Sequence, residues 1–136
     1  MKNKLPVILV CSFVLLLAVG YTAWQLNASR PPLLATYSGT LPGADCAGLK
    51  TELALFKDNT YHLRETYLAT RDGDKTFNSL GKWQKVKYGR RDAIQLQTGK
   101  KDEHTNYLVV DDRHLRLVDG RGKDIDCPFN LTLTRQ

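Results

Sequence analysis

Two thiols and three imidazoles are the side chains beyond the first thirty residues that could bind a soft metal ion: Cys46, Cys127, His62, His104 and His114. Copper sites need such ligands to converge in space. None of the histidines stands at the spacing of a known metal motif, and the alternation around His62 and His114 turns both toward solvent. We therefore expect solvated histidines and neither a metal ion nor another cofactor. His104 and Cys46 are the weak candidates should copper bind.

The sequence lacks the local motifs of hydrolytic active sites. Neither Gly-x-Ser-x-Gly nor His-Glu-x-x-His occurs in the chain. The carboxylate of Asp45 stands beside Cys46 and disfavours a reactive thiolate. We expect no enzymatic activity, because the nucleophile, base and orienting acid of an active site are not provided together.

The N-terminus has the composition of a membrane-targeting segment. Lys2 and Lys4 precede a long apolar stretch without charges, which continues to Trp24. Its length is close to the roughly 20 residues that span a bilayer, with an aromatic residue at the far interface. Residues 1–24 are predicted to be a signal peptide or, as the favoured alternative, an uncleaved anchor that leaves the rest of the chain outside the cytoplasm.

Cys11 lies within this apolar stretch and follows Val10. A lipid is attached to a cysteine that follows a small residue at the end of an apolar run, so Cys11 is predicted to be an ordinary membrane-segment residue. Residues 25–33 include consecutive prolines and are predicted to be a short stiff linker. The folded domain is then residues 34–136, which is enough for one modest core.

The charge distribution argues against a nucleic-acid partner. The chain has 20 Lys and Arg against 14 Asp and Glu, and Lys2, Lys4 and Arg30 all precede the folded domain. In the remainder, acidic and basic residues are interspersed along the whole length instead of gathering on one face between stacking aromatics.

From residue 34 onward, apolar and polar residues alternate with the period of two that is typical of β-strands. The alternation is clearest at Leu49, Thr51, Leu53 and Leu55, where each neighbour is more polar or smaller. No stretch in this part shows the pattern of an amphipathic helix. Strands are predicted near residues 34–41, 48–57, 60–69, 76–87, 93–98, 104–110, 113–118 and 129–135.

The connections between these strands are short, which indicates antiparallel neighbours. Eight short antiparallel strands favour an all-β, up-and-down barrel, which removes exposed sheet edges, over a two-sheet sandwich. Barrel closure places the first and seventh connections at one end. A disulfide between Cys46 and Cys127 is therefore predicted, with two free thiols as the alternative. Such a bridge would constrain the unfolded chain by about 4 to 5 kcal/mol.

The segment from Tyr37 to Leu53, YSGTLPGADCAGLKTEL, resembles the opening motif of the N-terminal domain of the NlpE family of bacterial envelope lipoproteins. Further matches follow in order: Asp58–Tyr61, Glu65–Leu68, Gly81–Trp83 and Leu115–Asp119, with Gly122 behind them. The resemblance covers about residues 35–135. It implies a lipocalin-like β-barrel that faces the periplasm. Together with the N-terminal segment, this predicts anchoring on the periplasmic side of the inner membrane, or a barrel free in the periplasm if the leader is cleaved. The resemblance also implies a family tied to copper tolerance and envelope stress sensing.

Two features depart from that family. Its first motif usually reads Cys-x-x-Cys, whereas Gly43 occupies the earlier position here and Cys46 alone matches. Family members usually carry a lipid on an N-terminal cysteine and often a second domain, and the sequence shows neither. A site made of paired thiols, and any signalling that depends on lipid sorting, therefore cannot simply be transferred.

The resemblance implies a non-enzymatic envelope module that binds or senses an envelope protein or a small ligand. The rim made of Pro42, Gly43, Asp45 and Cys46 is shaped by proline and glycine, and the favoured role of this loop is to turn the chain and present Cys46 for bridging. Direct contact with a ligand or partner is the alternative role of the same rim. A copper-handling protein and a carrier of a small apolar ligand are the alternatives. Barrels of eight strands have little interior space, and a filled core is predicted from Leu53, Tyr61, Tyr67, Phe77, Trp83, Leu96 and Phe129.

Overall fold

The computed structural model describes residues 12–21, 31–44 and 46–136, which fall into two compact units, Met1–Pro31 and Pro32–Gln136. In the first unit, residues 12–21 form an α-helix. No helix among the described residues is long and apolar enough to cross a membrane. Cys11 and most of the predicted anchor and linker lie outside the described residues, so these assignments stay predictions.

The second unit consists of eight antiparallel strands in a closed barrel. Each strand pairs with the next, and the last pairs with the first through Tyr37 with Arg135 and Ser38 with Thr134. The prediction of an up-and-down barrel is confirmed, and the sandwich alternative is wrong. The strands are β1 (Leu33–Leu41), β2 (Gly48–Phe56), β3 (Thr60–Thr70), β4 (Gly73–Tyr88), β5 (Arg91–Gln97), β6 (His104–Val109), β7 (His114–Val118) and β8 (Thr132–Arg135).

The alternation in β2 shows how the sequence divides the two faces. Thr51, Leu53 and Leu55 are buried on the inner face. On the outer face Glu52 lies 3.8 Å from the Lys50 ammonium and 3.7 Å from the Arg64 guanidinium. Because successive strand residues point to opposite faces, the sequence alternation directly gives one solvent-exposed face and one buried face.

Large side chains fill the middle of the barrel. Trp83 is buried, and its indole N–H donates to the Phe56 carbonyl at 3.1 Å, which satisfies its one polar group. Full burial of one such apolar side chain stabilises the fold by about 1.5 to 3 kcal/mol. The largest fully buried side chains are Tyr107, Leu53, Leu55, Leu96, Leu115 and Leu133.

Two residues of the predicted core are exposed instead. Phe77 is 55% exposed and Phe129 is 64% exposed. Phe77 lies in the first half of β4, where no strand of the described residues covers the second edge. Phe129 precedes β8, which begins three residues later than predicted because the Asn130 side chain accepts the Thr132 amide and forms a turn. The predicted core residues Leu53, Tyr61, Trp83 and Leu96 are buried.

Candidate functional site

Four connections meet at one end of the barrel: residues 42–47, 71–72, 98–103 and 119–131. In a meander, alternate connections share an end, so the topology brings together segments that are distant in the chain. We call this end the Cys46 rim. Pro42, Gly43, Cys46 and Cys127 all belong to it, whereas Asp45 lies outside the described residues.

A cavity of about 360 Å³ opens on the Cys46 rim. Tyr67 and Phe77 form its aromatic wall, with ring centroids 5.5 Å apart and an edge-to-face angle of 88°. This arrangement is favourable for an aromatic pair. The complete lining consists of Ala44, Cys46, Tyr67, Thr70, Arg71, Asp72, Lys75 and Phe77.

Two basic residues, Arg71 and Lys75, line the cavity together with this aromatic wall. The Lys75 ammonium lies 3.1 Å from the Asp72 carboxylate, and Arg71 forms no ion pair with any described residue. Asp74 is occupied elsewhere, since it accepts the Ala69 amide at 2.7 Å. The cavity can therefore receive an apolar or aromatic group and offer a guanidinium to an anionic neighbour.

Gly43 and Cys46 are in close contact across the rim loop. The Cys46 thiol donates to the Gly48 carbonyl at 3.2 Å and lies against the face of Gly43 where a side chain would begin. Only a residue without a Cβ leaves the thiol in this position. The structure thus joins the two positions that correspond to the family's paired thiols, although one of them carries no sulfur.

Both described cysteines are free thiols, and Cys127 Sγ lies 3.7 Å from the Phe129 carbonyl. The bridge between Cys46 and Cys127 is not formed in the structure and stays a prediction. His104, the other weak metal candidate, has Nε2 3.4 Å from the Gly120 carbonyl. Nowhere in the described residues do three or more His, Cys, Asp or Glu side chains gather as metal ligands.

Asp119 organises the longest connection of the rim. Its carboxylate accepts the amides of Arg121 at 2.8 Å and Lys123 at 2.9 Å. These hydrogen bonds from the Lys123 and Arg121 backbone hold the pKa of Asp119 below its usual range. The carboxylate therefore acts as a local clamp on the loop that carries Cys127.

Sequence reasoning missed the part of the rim contributed by the β3–β4 hairpin: Tyr67, Arg71, Asp72, Lys75 and Phe77. The alternation of Phe77 with polar neighbours predicts a core position, as for a buried strand residue. The available signal was the predicted strand lengths: the strand near residues 76–87 is about twice as long as the one near 93–98, so one edge of the longer strand cannot be covered along its whole length. In the structure the difference is larger, since β4 has 16 residues and β5 seven.

Comparisons with known proteins agree with this architecture. A family profile described as the NlpE N-terminal domain matches residues 37–127. Lipoprotein NlpE of Escherichia coli K12 is 36% identical over 106 residues, which are 78% of this chain and 42% of that protein. The chain thus spans less than half the length of this relative.

Two crystal structures share the fold. One is of a Shewanella oneidensis protein described as a lipoprotein, with a TM-score of 0.61, 29% identity, and coverage of 81% of this chain and 93% of that one. The other is of the Cpx pathway activator NlpE from E. coli, with a TM-score of 0.58, 33% identity, and coverage of 71% and 48%. The profile match over most of the barrel, the sequence identity and the shared fold together show that this chain belongs to the family of the NlpE N-terminal domain.

Proposed function

We propose that the chain is a non-enzymatic binding module of the bacterial envelope, in which the Cys46 rim engages an envelope protein and reports its state. Its family includes an envelope lipoprotein described as a Cpx pathway activator. A related role in signalling from the periplasm, with the N-terminal segment as membrane anchor, is consistent with that membership. The aligned residues are only 42% of the whole relative, so this role is proposed for the barrel on its own.

The exposed Phe77 carries this proposal. An aromatic side chain that is 55% exposed beside Tyr67 and Arg71 leaves apolar area in water that a partner could cover. Aromatic residues and arginine are the residues that most often dominate protein–protein binding energy. A partner segment with an apolar side chain and a nearby carboxylate would match this cavity.

The two alternative functions have weaker support. Copper handling would need converging soft ligands, whereas the described lining of the cavity around Cys46 includes no histidine, and no group of three or more His, Cys, Asp or Glu gathers among the described residues. A carrier of a wholly apolar molecule would need an empty and apolar interior, whereas leucine side chains and Tyr107 fill the centre of this barrel and the cavity beside them contains Glu65.

The experiment compares Phe77→Ser with Val110→Ser in the full chain, overproduced in its native host. Val110 is 54% exposed and lies in the connection at the opposite end, so it matches Phe77 in exposure. We expect the parent and Val110→Ser to change envelope-stress transcription equally, and Phe77→Ser to lose most of that response. Equal responses from both variants, at equal protein levels, would refute the role of the rim.

A further inference from the structure

The barrel wall has an opening between β4 and β5. Residues Gly73–Gly81 of β4 pair with β3, but pairing with β5 begins only at Lys82 with Gln97. In the described part of the chain, no strand covers the second edge of Gly73–Gly81. The β3–β4 hairpin therefore extends past the end of β5 and leaves a side entrance into the barrel.

A second cavity, of about 370 Å³, lies at this entrance. It is separate from the cavity of the Cys46 rim, since the two share no lining residue. Its volume is within the range of small-molecule sites. Its lining consists of Tyr61, Leu63, Glu65, Ser79, Leu80, Leu96, Thr98, Thr105 and Tyr107.

Glu65 is the one charged residue in this lining. It follows the buried Tyr61 and Leu63 on the inner face of β3. The residue that pairs with it on β4 is Phe77. No hydrogen bond or ion pair with another described residue engages its carboxylate. Burial raises the pKa of Glu65, and no nearby cation opposes this effect. A carboxylate that lies on the inner face of a barrel and has no partner lowers the free energy of unfolding.

Two of the hydroxyl groups in the lining that contains Glu65, those of Tyr61 and Thr98, are arranged to accept hydrogen bonds from a ligand. The Tyr61 hydroxyl donates its proton to the Gln97 carbonyl at 3.1 Å, and the Thr98 hydroxyl donates to the Glu103 carbonyl at 2.8 Å. Each oxygen then has only lone pairs left to offer the cavity. Acceptors around one carboxylate suit a ligand that carries several donors and a positive charge, and they repel an anion.

We propose that this cavity binds a small organic cation with a primary ammonium group, which pairs with Glu65 and donates to the hydroxyl oxygens of Tyr61 and Thr98. The apolar part of the ligand lies against Leu63, Leu80 and Leu96. Of these residues only Thr98 lies in a connection of the Cys46 rim, and none of them lines the rim cavity, so ligand binding here can be tested separately from the proposed binding of a protein partner.

The test uses the full chain in lipid nanodiscs, titrated with benzylamine and followed by NMR of the Tyr61 and Tyr107 rings. Benzyl alcohol and benzoate are the neutral and anionic probes of the same shape. We expect saturable shifts with benzylamine and affinity for benzyl alcohol lower by about tenfold or more, equivalent to about 1.4 kcal/mol. Benzoate should cause no shift.

Three variants complete the test. Glu65→Gln should weaken benzylamine binding by about tenfold or more and bring it to the level of benzyl alcohol. Ser79→Phe keeps the carboxylate but fills the cavity, and it should abolish binding of both probes. Glu52→Gln removes a carboxylate from the outer face and should change nothing. No saturable shift with benzylamine, equal affinity for benzyl alcohol, or full binding by Glu65→Gln would each overturn the proposal.

Discussion

A Cβ atom placed on Gly43 would lie 3.7 Å from the Cβ of Cys46. Disulfides typically have a Cβ–Cβ separation of about 3.5 to 4.5 Å. The Cβ separation in the rim loop therefore suits two bonded sulfurs, provided that the Cys46 thiol rotates away from the place where a Gly43 Cβ would lie.

We predict that Gly43→Cys forms a disulfide with Cys46 under mild oxidation, in a chain whose Cys11 and Cys127 are replaced by serine. Loss of two hydrogens, measured by intact mass and reversed by reductant, identifies the bond. The same chain with Gly43 retained is the control and should keep its mass. Persistent free thiols in the Gly43→Cys chain would show that the loop does not hold the two positions together.

The second prediction concerns the bridge between Cys46 and Cys127. Both residues lie on the Cys46 rim, and an envelope compartment outside the cytoplasm is oxidising, so we expect the protein isolated from its host to carry this bond. Thiol reagents should then label neither residue before reduction. Cys127→Ser should lower the free energy of unfolding by about 2 to 5 kcal/mol, measured by denaturant titration. Ready labelling of both thiols in the folded protein would exclude the bridge.

Asn106 is 1% exposed and links three segments. Its amide nitrogen donates to the Asp119 carbonyl at 3.1 Å, and its amide oxygen accepts from Gln95 at 3.2 Å. Asn106→Ala leaves that carbonyl without its donor, so we expect a loss of about 1 to 3 kcal/mol in the free energy of unfolding. The exposed Asn78→Ala serves as the matched control and should change it by less than about 0.5 kcal/mol. Similar unfolding midpoints for the two variants would contradict this account.

Gly122 and Gly120 are two glycines of one loop with different surroundings. Gly122 has φ of 75°, and a Cβ atom there would lie 2.7 Å from Cδ1 of the Tyr88 ring, whereas Gly120 has open space around it. Gly122→Ala should therefore destabilise the barrel by more than about 1 kcal/mol, through left-handed strain and displacement of the ring. Gly120→Ala should be nearly neutral. The measurement is the thermal unfolding midpoint of each variant. Equal midpoints for Gly122→Ala and Gly120→Ala would contradict the contact with Tyr88.

The raised pKa of Glu65 makes part of the stability depend on pH. In the unfolded chain this carboxyl has its ordinary pKa near 4.5, and in the barrel burial raises it. The stability that the protonated Glu65 carboxyl allows is fully present below the ordinary pKa. It is lost as the pH rises through the folded pKa, because the carboxyl must then carry its charge while buried. We therefore expect Glu65→Gln to be more stable than the parent at neutral pH, with a difference that shrinks on acidification below about pH 4. Denaturant midpoints of the parent and Glu65→Gln, measured at neutral pH and below about pH 4, check this prediction. A Glu65→Gln variant that is less stable than the parent at neutral pH would contradict it.

Much of the fold could be predicted from the sequence because alternation is a local property. The residues of β2 carry their own division into a wet and a dry face, and short connections leave few ways to arrange neighbouring strands. The eight predicted strands all exist, with most ends within two or three residues. The resemblance carried by residues 37–53 identified the family for the same reason, since it depends on contiguous residues.

The candidate sites were less predictable. Local alternation placed Phe77 inside, but only the tertiary structure shows that β5 ends before it reaches that part of β4. Likewise, Glu65 is an ordinary strand residue in the sequence, and its lack of a cationic partner depends on which side chains the closed barrel places around it.

Taken alone, the sequence determined the strand order, the faces of the strands and the family, because each depends on neighbours along the chain. The tertiary structure alone decided that the wall opens beside Gly73–Gly81, that Phe77 faces water, and that Glu65 shares a cavity with Tyr61 and Tyr107. These features arise from unequal strand lengths and barrel closure, which set contacts between residues far apart in the chain.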